Sequence, residues 1–184
     1  MHVILISGSR NPEGQTARAV RAVQRGIEAG GGRTETVFLP PLRIERCRQC
    51  EDSGWGLCRK EGRCIIEDDM QPIHAQLRAC DGVIVGTPVY WFSMSAQTKI
   101  LLDRWYALAG PEGHALKGKR FALALAYADP DPFVSGAANV HRVFHDACRW
   151  MGATLVGTVY GTAEAKGEVA GNSALLGQAR DLGR

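Results

Sequence analysis

The sequence lacks the compositional features of several protein classes. It has only six cysteines in 184 residues, about 3%, well below the density of a secreted disulfide scaffold. Neither sign of charge dominates, since 22 lysines and arginines are balanced by 19 aspartates and glutamates. This balance excludes a strongly basic nucleic-acid-binding arm and an acidic disordered tail. The length suits one compact domain.

The sequence also lacks an apolar run long enough to cross a membrane. Its longest uncharged stretch, residues 82–98, contains glycine, proline, serine, threonine and glutamine, and it is shorter than the roughly 20 apolar residues that a membrane helix needs. The first residues, MHVILIS, do not resemble a signal peptide. We therefore expect no membrane span and no nucleic-acid partner, a cytoplasmic location, and cysteines that stay reduced.

Short apolar runs alternate with segments in which apolar residues recur at helical spacing. The runs predict strands, and the spaced segments predict helices between them. We place strands at 3–6, 34–39, 82–86, 121–126 and 154–160, and helices at 17–27, 70–80, 95–109, 140–151 and 175–182. This alternation predicts an α/β fold, a flavodoxin-like three-layer sandwich with a five-stranded parallel sheet in the order 2-1-3-4-5. Residues 1–184 would then form a single domain, with a cysteine-rich insertion at about 43–67.

The segment after the first predicted strand has the composition of an anion-binding turn. Gly8–Thr16 combines glycine, serine and threonine where a strand leads into a helix, so that backbone N–H groups and hydroxyls can converge on an anion. Arg10 can add a charge-assisted hydrogen bond. The segment is neither a Walker A loop nor a G-x-G-x-x-G loop, and it therefore favours one phosphate over two. A plain strand-to-helix turn is the alternative.

Three consecutive aromatic residues follow the third predicted strand. Tyr90, Trp91 and Phe92 lie in the segment Thr87–Ser95, next to the point where the strand order of the predicted sheet reverses and where ligands of such sheets bind. An aromatic run on a loop at this edge indicates that something flat or apolar covers it. A planar ligand ring and a subunit interface are both compatible with the run, and both can hold at once.

Four of the six cysteines lie in one short segment. Cys47, Cys50, Cys58 and Cys64 are separated by two, seven and five residues. Four thiolates can hold an iron–sulfur cluster or a zinc ion, and they can also remain free thiols in an ordered loop. The sequence leaves these three alternatives open. Cys80 and Cys148 fall on the inner faces of predicted helices and are expected in the core.

These features resemble the superfamily of NADPH-dependent FMN reductases and multimeric flavodoxins, in particular its iron–sulfur flavoprotein branch. The matching pieces run in order along nearly the whole chain: Gly8–Thr16, Cys47-x-x-Cys50, Asp68-Asp69-Met70, Gly86–Trp91, Lys99 with Asp103-Arg104, and Lys166–Val169. The resemblance implies FMN with its phosphate on Ser9, Arg10, Gln15 and Thr16, beside Ala17. It implies further that the isoalloxazine ring contacts Pro88, Val89, Tyr90, Trp91 and Phe92, with Tyr127 on a third loop.

The resemblance also implies an activity. The chain would be an FMN-dependent NAD(P)H oxidoreductase that passes electrons to a quinone, a flavin or another small acceptor, as a homodimer or homotetramer. The alternative is an iron–sulfur flavoprotein, with a [4Fe–4S] cluster, or a flavodoxin-type electron carrier that docks redox proteins. Because the flavin itself accepts the hydride, we expect no catalytic side chain. Gln15 stands where the family usually has asparagine, and Cys58 lies farther from Cys50 than in the iron–sulfur members.

Overall fold

The computed structural model describes residues 1–50 and 56–184. Its strands are β1 His2–Ser7, β2 Arg33–Phe38, β3 Gly82–Tyr90, β4 Ser93–Met94, β5 Ala109–Gly110, β6 Gly113–His114, β7 Arg120–Tyr127 and β8 Thr154–Thr162. Its helices are α1 Gln15–Ala29, α2 Gly56–Glu61, α3 Met70–Ala79, α4 Ala96–Arg104, α5 Ala137–Met151, α6 Glu168–Gly171 and α7 Ser173–Gly183. Within these residues, none of the helices has the length and apolar character needed to span a bilayer.

Five strands form a parallel sheet in the order β2-β1-β3-β7-β8. This confirms the strand order predicted from the sequence. The two short strands β5 and β6 form a separate hairpin. The sheet order reverses between β1 and β3, and both strands end at the same edge because they run parallel.

Helices cover both faces of the sheet, because the central strands are apolar on both faces. Successive side chains of a strand point to opposite faces, so Ile4 and Ile6 pack with α3, α4 and α5, whereas Val3 and Leu5 pack with α1 and α7. Double-sided burial explains why these strands read as continuous apolar runs. Cys80 and Cys148 are buried in the first of these cores, as predicted.

Strand β3 is longer than the sequence predicts. Its predicted end was residue 86, but it continues to Tyr90 and turns back into β4 through a two-residue turn. Thr87-Pro88 has the composition of a strand end. The strand nevertheless continues, because β7 pairs with β3 as far as Pro88, whereas β1 stops pairing with it at Gly86. Proline therefore lies where the strand has lost one neighbour, a position it tolerates better than the centre of a sheet.

The predicted helix 95–109 is also divided. Helix α4 ends at Arg104, and a 3₁₀ turn over Trp105–Leu108 leads into the β5–β6 hairpin. The buried side chains of Trp105 and Leu108 continue the apolar spacing of α4, so the pattern looks like one helix. The segment 43–67, which shows no periodicity, contains the short helix α2. The other predicted elements end within four residues of their predicted bounds.

A glycine contact holds α1 against α7 and can be tested. A Cβ atom added at Gly26 of α1 would lie 2.0 Å from the carbonyl oxygen of Arg180, in the backbone of α7. We expect Gly26→Ala to lower the free energy of unfolding by about 1–3 kcal/mol, as measured by urea denaturation, because the two helices must separate.

Gly177→Ala in α7 is the matched control. In the described structure no heavy atom lies within 4 Å of a Cβ added at Gly177, so this substitution should stabilise the protein by roughly 0.5–1 kcal/mol through helix propensity. Equal effects of the two substitutions would contradict the close contact at Gly26.

Candidate functional site

The ends of β1 and β3 bring the two segments singled out in the sequence side by side. Ser7 pairs with Gly86 in the parallel register, and one residue later the N–H of Gly8 donates to the carbonyl oxygen of Gly86 over 2.8 Å. The segment 8–14 and the β3–β4 turn thus leave the same edge of the sheet from neighbouring strands. This edge is the place where ligands bind in sheets of this order.

A buried polar cluster around Ser95 joins these two segments. The hydroxyl of Ser95 donates to the carbonyl oxygen of Gly8 over 2.9 Å, and its backbone N–H donates to Oγ1 of Thr87 over 3.0 Å. Thr98 Oγ1 lies 3.0 Å from the Ser95 hydroxyl. A Cβ atom added at Gly8 would lie only 2.0 Å from Thr98 Oγ1. Glycine is therefore required at position 8, and the start of α4 fixes both segments relative to each other.

The segment 8–14 presents the N-terminus of α1 at this edge. Gly14 precedes α1 and carries no side chain that could cap the helix, so the first N–H groups are available to an anion. Ser9 is buried and hydrogen-bonds within the segment to Asn11, and Thr16 lies in the first helical turn. Arg10 is exposed and, within the described residues, forms no ion pair. The turn therefore offers amides, hydroxyls and one positive charge to a single anion.

The side chain of Gln15 has a different set of partners from the one that the resemblance implies. Its Nε2 donates to the carbonyl oxygen of Ala165 over 2.7 Å, and its Oε1 accepts from the N–H of Val169 over 3.2 Å. The amide thus fastens the segment before α6 to the start of α1. This contact places Lys166, which is exposed, near the segment 8–14. Lys166 lies in a matching piece of the resemblance, but its local sequence gives it no role.

The aromatic residues form a tight, exposed turn. Trp91 and Phe92 have φ angles of +50° and +63°, a left-handed conformation that costs about 1 kcal/mol or more per non-glycine residue. The turn is held by the start of α5, because Asn139 Nδ2 donates to the carbonyl oxygen of Phe92 over 3.2 Å and a Cβ at Gly136 would lie 2.5 Å from Phe92 Cα. Trp91 is nevertheless 91% exposed. The turn is thus a fixed apolar surface facing solvent.

The remaining predicted contacts flank this turn. Pro88 is buried, Val89 is half-buried and Tyr90 is exposed at the end of β3, whereas Ala17 is buried in α1. Tyr127 ends β7 and is buried, and burial raises the pKa of its phenol. Phe133 and Val134 are exposed, close in sequence to Gly136, which lies against Phe92. Local sequence does not single them out, because a proline- and aspartate-rich loop precedes them.

A second candidate site lies at the other end of α4. Cys47, Cys50, Cys58 and Cys64 line one cavity of about 60 Å³, together with Arg104 and Tyr106. Burial, followed by the neighbouring Cys64, raises the pKa of the Cys58 thiol. Among the residues that the structure describes, no three histidine, cysteine or acidic side chains converge on one ion position. The fold therefore gathers the four thiols around a shared space without closing them on a single ion.

A buried ion pair fixes this cavity to the rest of the protein. Arg104 is 1% exposed and Asp68 5%, and the guanidinium donates from Nη1 and Nη2 to the two carboxylate oxygens over 2.7 and 3.1 Å. Nη1 also donates to the carbonyl oxygen of Glu45 over 2.8 Å, and Nη2 to Sγ of Cys64 over 3.3 Å. Asp68 in turn accepts the N–H groups of Glu45 and Met70.

The carbonyl group of Arg104 also binds a buried histidine. His74 Nε2 lies 3.0 Å from this oxygen and donates its proton to it. Burial lowers the pKa of His74 to about 4. The neutral imidazole thus belongs to the same buried unit as the ion pair.

Comparisons with known proteins show the family of this chain. A sequence model of the family described as NADPH-dependent FMN reductase matches residues 1–167. An iron–sulfur flavoprotein of Archaeoglobus fulgidus is 30% identical over 171 residues, which cover 92% of this chain and 72% of that protein. Another, from Methanocaldococcus jannaschii, is 40% identical over 104 residues, covering 56% of this chain and 51% of that protein.

Solved structures support the fold. The NAD(P)H:quinone oxidoreductase from Methanothermobacter marburgensis superposes with a TM-score of 0.76 at 19% identity, covering 100% of this chain and 98% of that one. A flavodoxin from the domain Archaea superposes with a TM-score of 0.59. The predicted flavodoxin-like fold is confirmed. The chain matches 51% and 59% of the length of the first two curated relatives, so it spans little more than half of each.

The buried His74 gives the protein a testable pH dependence. Because the pKa of His74 is lowered from 6.5 to about 4, the unfolded chain binds a proton here more readily than the folded protein. His74 therefore does not reduce the free energy of unfolding above pH 6.5. This free energy decreases as the pH falls toward 4, by about 3 kcal/mol in total. We expect His74→Gln, which keeps a donor for the Arg104 carbonyl, to remove this part of the pH dependence.

The free energy of unfolding in urea at pH 7, 5.5 and 4 measures this effect. His145→Gln, at an exposed histidine on α5, is the control and should keep the wild-type profile. If His74→Gln and the wild type lost stability equally between pH 7 and pH 4, the assignment to His74 would be wrong.

Proposed function

The chain belongs to the NADPH-dependent FMN reductase family, and we propose that it is an FMN-dependent enzyme that oxidises NAD(P)H and reduces a small acceptor such as a quinone or a free flavin. One observation carries the proposal. The buried Ser95 cluster joins a helix N-terminus suited to one phosphate to an exposed aromatic turn suited to a planar ring. FMN carries one phosphate group and one planar ring system.

The residues at the N-terminus of α1 fit the phosphate group of FMN. The N-terminus of α1 offers oriented N–H groups and a partial positive charge, and Ser9 and Thr16 supply hydroxyls. Arg10 is exposed beside them and can add a charge-assisted hydrogen bond. We assign Gln15 to holding the 165–169 segment against this site, since both polar atoms of its amide bind backbone there.

The residues of the aromatic turn fit the isoalloxazine ring of FMN. Tyr90, Trp91 and Phe92 present an exposed apolar surface at the end of β3, and burying such a surface against a flat ring is favourable. When bound, the flavin supplies hydride acceptance and electron donation. The chain then has to orient the ring, exclude water from it and hydrogen-bond its polar edge. We assign these roles to Pro88, Val89 and the backbone of the turn, which lie at the end of β3. Tyr127 would close the site from the end of β7.

The exposed apolar surface around the turn also supports assembly. Trp91, Phe133 and Val134 are all more than half exposed, and Gly136, close to Phe133 and Val134 in sequence, lies against Phe92. Large exposed apolar side chains in this number are unusual for a surface that stays in water. We propose that a second copy covers it in a homodimer or homotetramer. We further propose that residues 1–184 act as one domain with the cysteine-rich insertion, in a reducing compartment such as the cytoplasm, where its thiols stay free of disulfides.

The thiol cavity favours a second candidate function, that of an iron–sulfur flavoprotein which passes electrons to protein partners. A zinc ion needs four ligands at 2.0–2.3 Å from one point, whereas a [4Fe–4S] cluster takes one thiolate on each of four separate iron atoms. The four thiols line one cavity, and four thiolates are the ligand set that a [4Fe–4S] cluster takes. Curated relatives are named iron–sulfur flavoproteins. Free thiols are the remaining alternative.

We expect the purified protein to bind one FMN per chain, as measured by flavin fluorescence in a titration, and to oxidise NADPH or NADH with a quinone acceptor. Ser95→Ala should weaken FMN binding about tenfold, because the two segments lose the hydrogen bond that fixes them. Ser93→Ala, two residues away and exposed, is the matched control and should bind FMN like the wild type.

The outcomes separate the two candidate functions. Absence of FMN binding by the wild type would refute the flavin site itself. Binding of FMN without turnover of either nicotinamide nucleotide would refute the reductase and favour the electron carrier.

A further inference from the structure

We propose that Arg104 is a positioning residue for the sulfur atom of Cys64, and that its hydrogen bond to this sulfur raises the reduction potential of an iron–sulfur cluster bound by the four cysteines. This inference rests on the iron–sulfur site proposed above. It does not depend on the identity of the electron acceptor.

The four thiols that line the cavity differ in their surroundings. Cys64 is buried, with 6% of its surface exposed, whereas Cys47 is exposed and Cys50 and Cys58 are half-buried. Arg104 Nη2 donates to Cys64 Sγ over 3.3 Å. Cys64 is thus fixed by a buried donor, while the other three thiols approach the cavity from the more exposed part of the segment.

The orientation of the guanidinium is determined by its other partners. Nη1 uses its two hydrogens on Asp68 and on the carbonyl oxygen of Glu45, and Nη2 uses one hydrogen on Asp68. The second hydrogen of Nη2 is the one directed at Cys64. The planar fork of arginine is suited to such simultaneous contacts. The guanidinium cannot turn away from Cys64 without breaking buried hydrogen bonds.

The electrostatic effect on a cluster follows from this arrangement. The charges of Arg104 and Asp68 largely cancel at a distance, so that the local contribution is an oriented N–H group aimed at a ligating sulfur. Hydrogen bonds to cluster sulfurs help to set the reduction potential. Because the reduced cluster carries one more negative charge than the oxidised cluster, an N–H donor stabilises the reduced form more. Removing the donor should therefore lower the potential.

Arg104→Lys tests this inference in the FMN-loaded protein after anaerobic reconstitution of the cluster. Lysine keeps the positive charge beside Asp68, but a single ammonium cannot reproduce the fork and also reach Cys64. We expect the ratio of reduced to oxidised cluster at a given potential to fall about tenfold, equivalent to about 59 mV for one electron. The midpoint is measured by titration with dithionite, followed by electron paramagnetic resonance.

Arg63→Lys is the matched control, because Arg63 is exposed, pairs with Glu61 and adjoins Cys64 in sequence. It should leave the midpoint unchanged. Should Arg104→Lys fail to fold, resonance Raman spectra of the wild-type cluster in H₂O and D₂O give a second test. A hydrogen-bonded ligand sulfur predicts a deuterium shift of the iron–thiolate bands.

The possible failures are distinguishable. If the reconstituted wild type contains neither iron nor acid-labile sulfide, the iron–sulfur proposal fails and this inference fails with it. If the cluster assembles and Arg104→Lys leaves its midpoint unchanged, or if the bands of the wild type are insensitive to deuterium, the inference about Arg104 alone is overturned.

Discussion

The buried ion pair between Arg104 and Asp68 fixes the part of the chain that the sheet does not organise. Burying two charges is costly. Here the carboxylate offsets part of this cost by binding both Nη atoms and two backbone N–H groups, while Nε of Arg104 has no partner among the described residues. These contacts tie the end of α4 to the start of α3 and to the cysteine-rich segment. The ion pair thus fixes the Cys64 thiol and the Glu45 backbone relative to the ends of α3 and α4.

Helix α4 connects this pair to the ligand edge of the sheet. Ser95 caps its N-terminus and binds Gly8 and Thr87, and Arg104 ends it at the thiol cavity. Nine residues of α-helix extend about 13 Å. One short helix thus sets the separation between the proposed flavin site and the thiol cavity, and each end is held by buried polar contacts. The 3₁₀ turn that follows α4 packs the Trp105 side chain into the core.

The fold could be predicted from the sequence because its central strands are buried on both faces. Val3–Ile6 and Gly82–Gly86 read as strands for this reason, and the glycine- and serine-rich segment after the first of them predicts a turn suited to an anion. The end of β3 could not be predicted, because Thr87-Pro88 has the composition of a turn and only the pairing with β7 and β4 makes it a strand. A local sequence pattern does not show which strands pair with one another.

The candidate site could likewise be predicted only in part from local sequence. The aromatic turn could be predicted from three consecutive residues, but its left-handed backbone depends on Gly136 and Asn139, which lie more than 40 residues away in the sequence. The partners of Gln15 lie near residue 165, so local sequence could not show that its amide is engaged. Asp68 and Arg104 were noted only as matching pieces of the resemblance. Their pairing across 36 residues, and the contact with Cys64, required the folded structure.

Hydrogen exchange measured by mass spectrometry is the sharpest test of the proposal that FMN binds where the ends of β1 and β3 meet. Exchange is compared with and without FMN at saturating concentration. If FMN binds there, exchange should slow in peptides that cover residues 8–16 and 87–95, with little change in α2 at the thiol cavity. Unchanged exchange in both of these segments, with protection confined to another part of the chain, would contradict it.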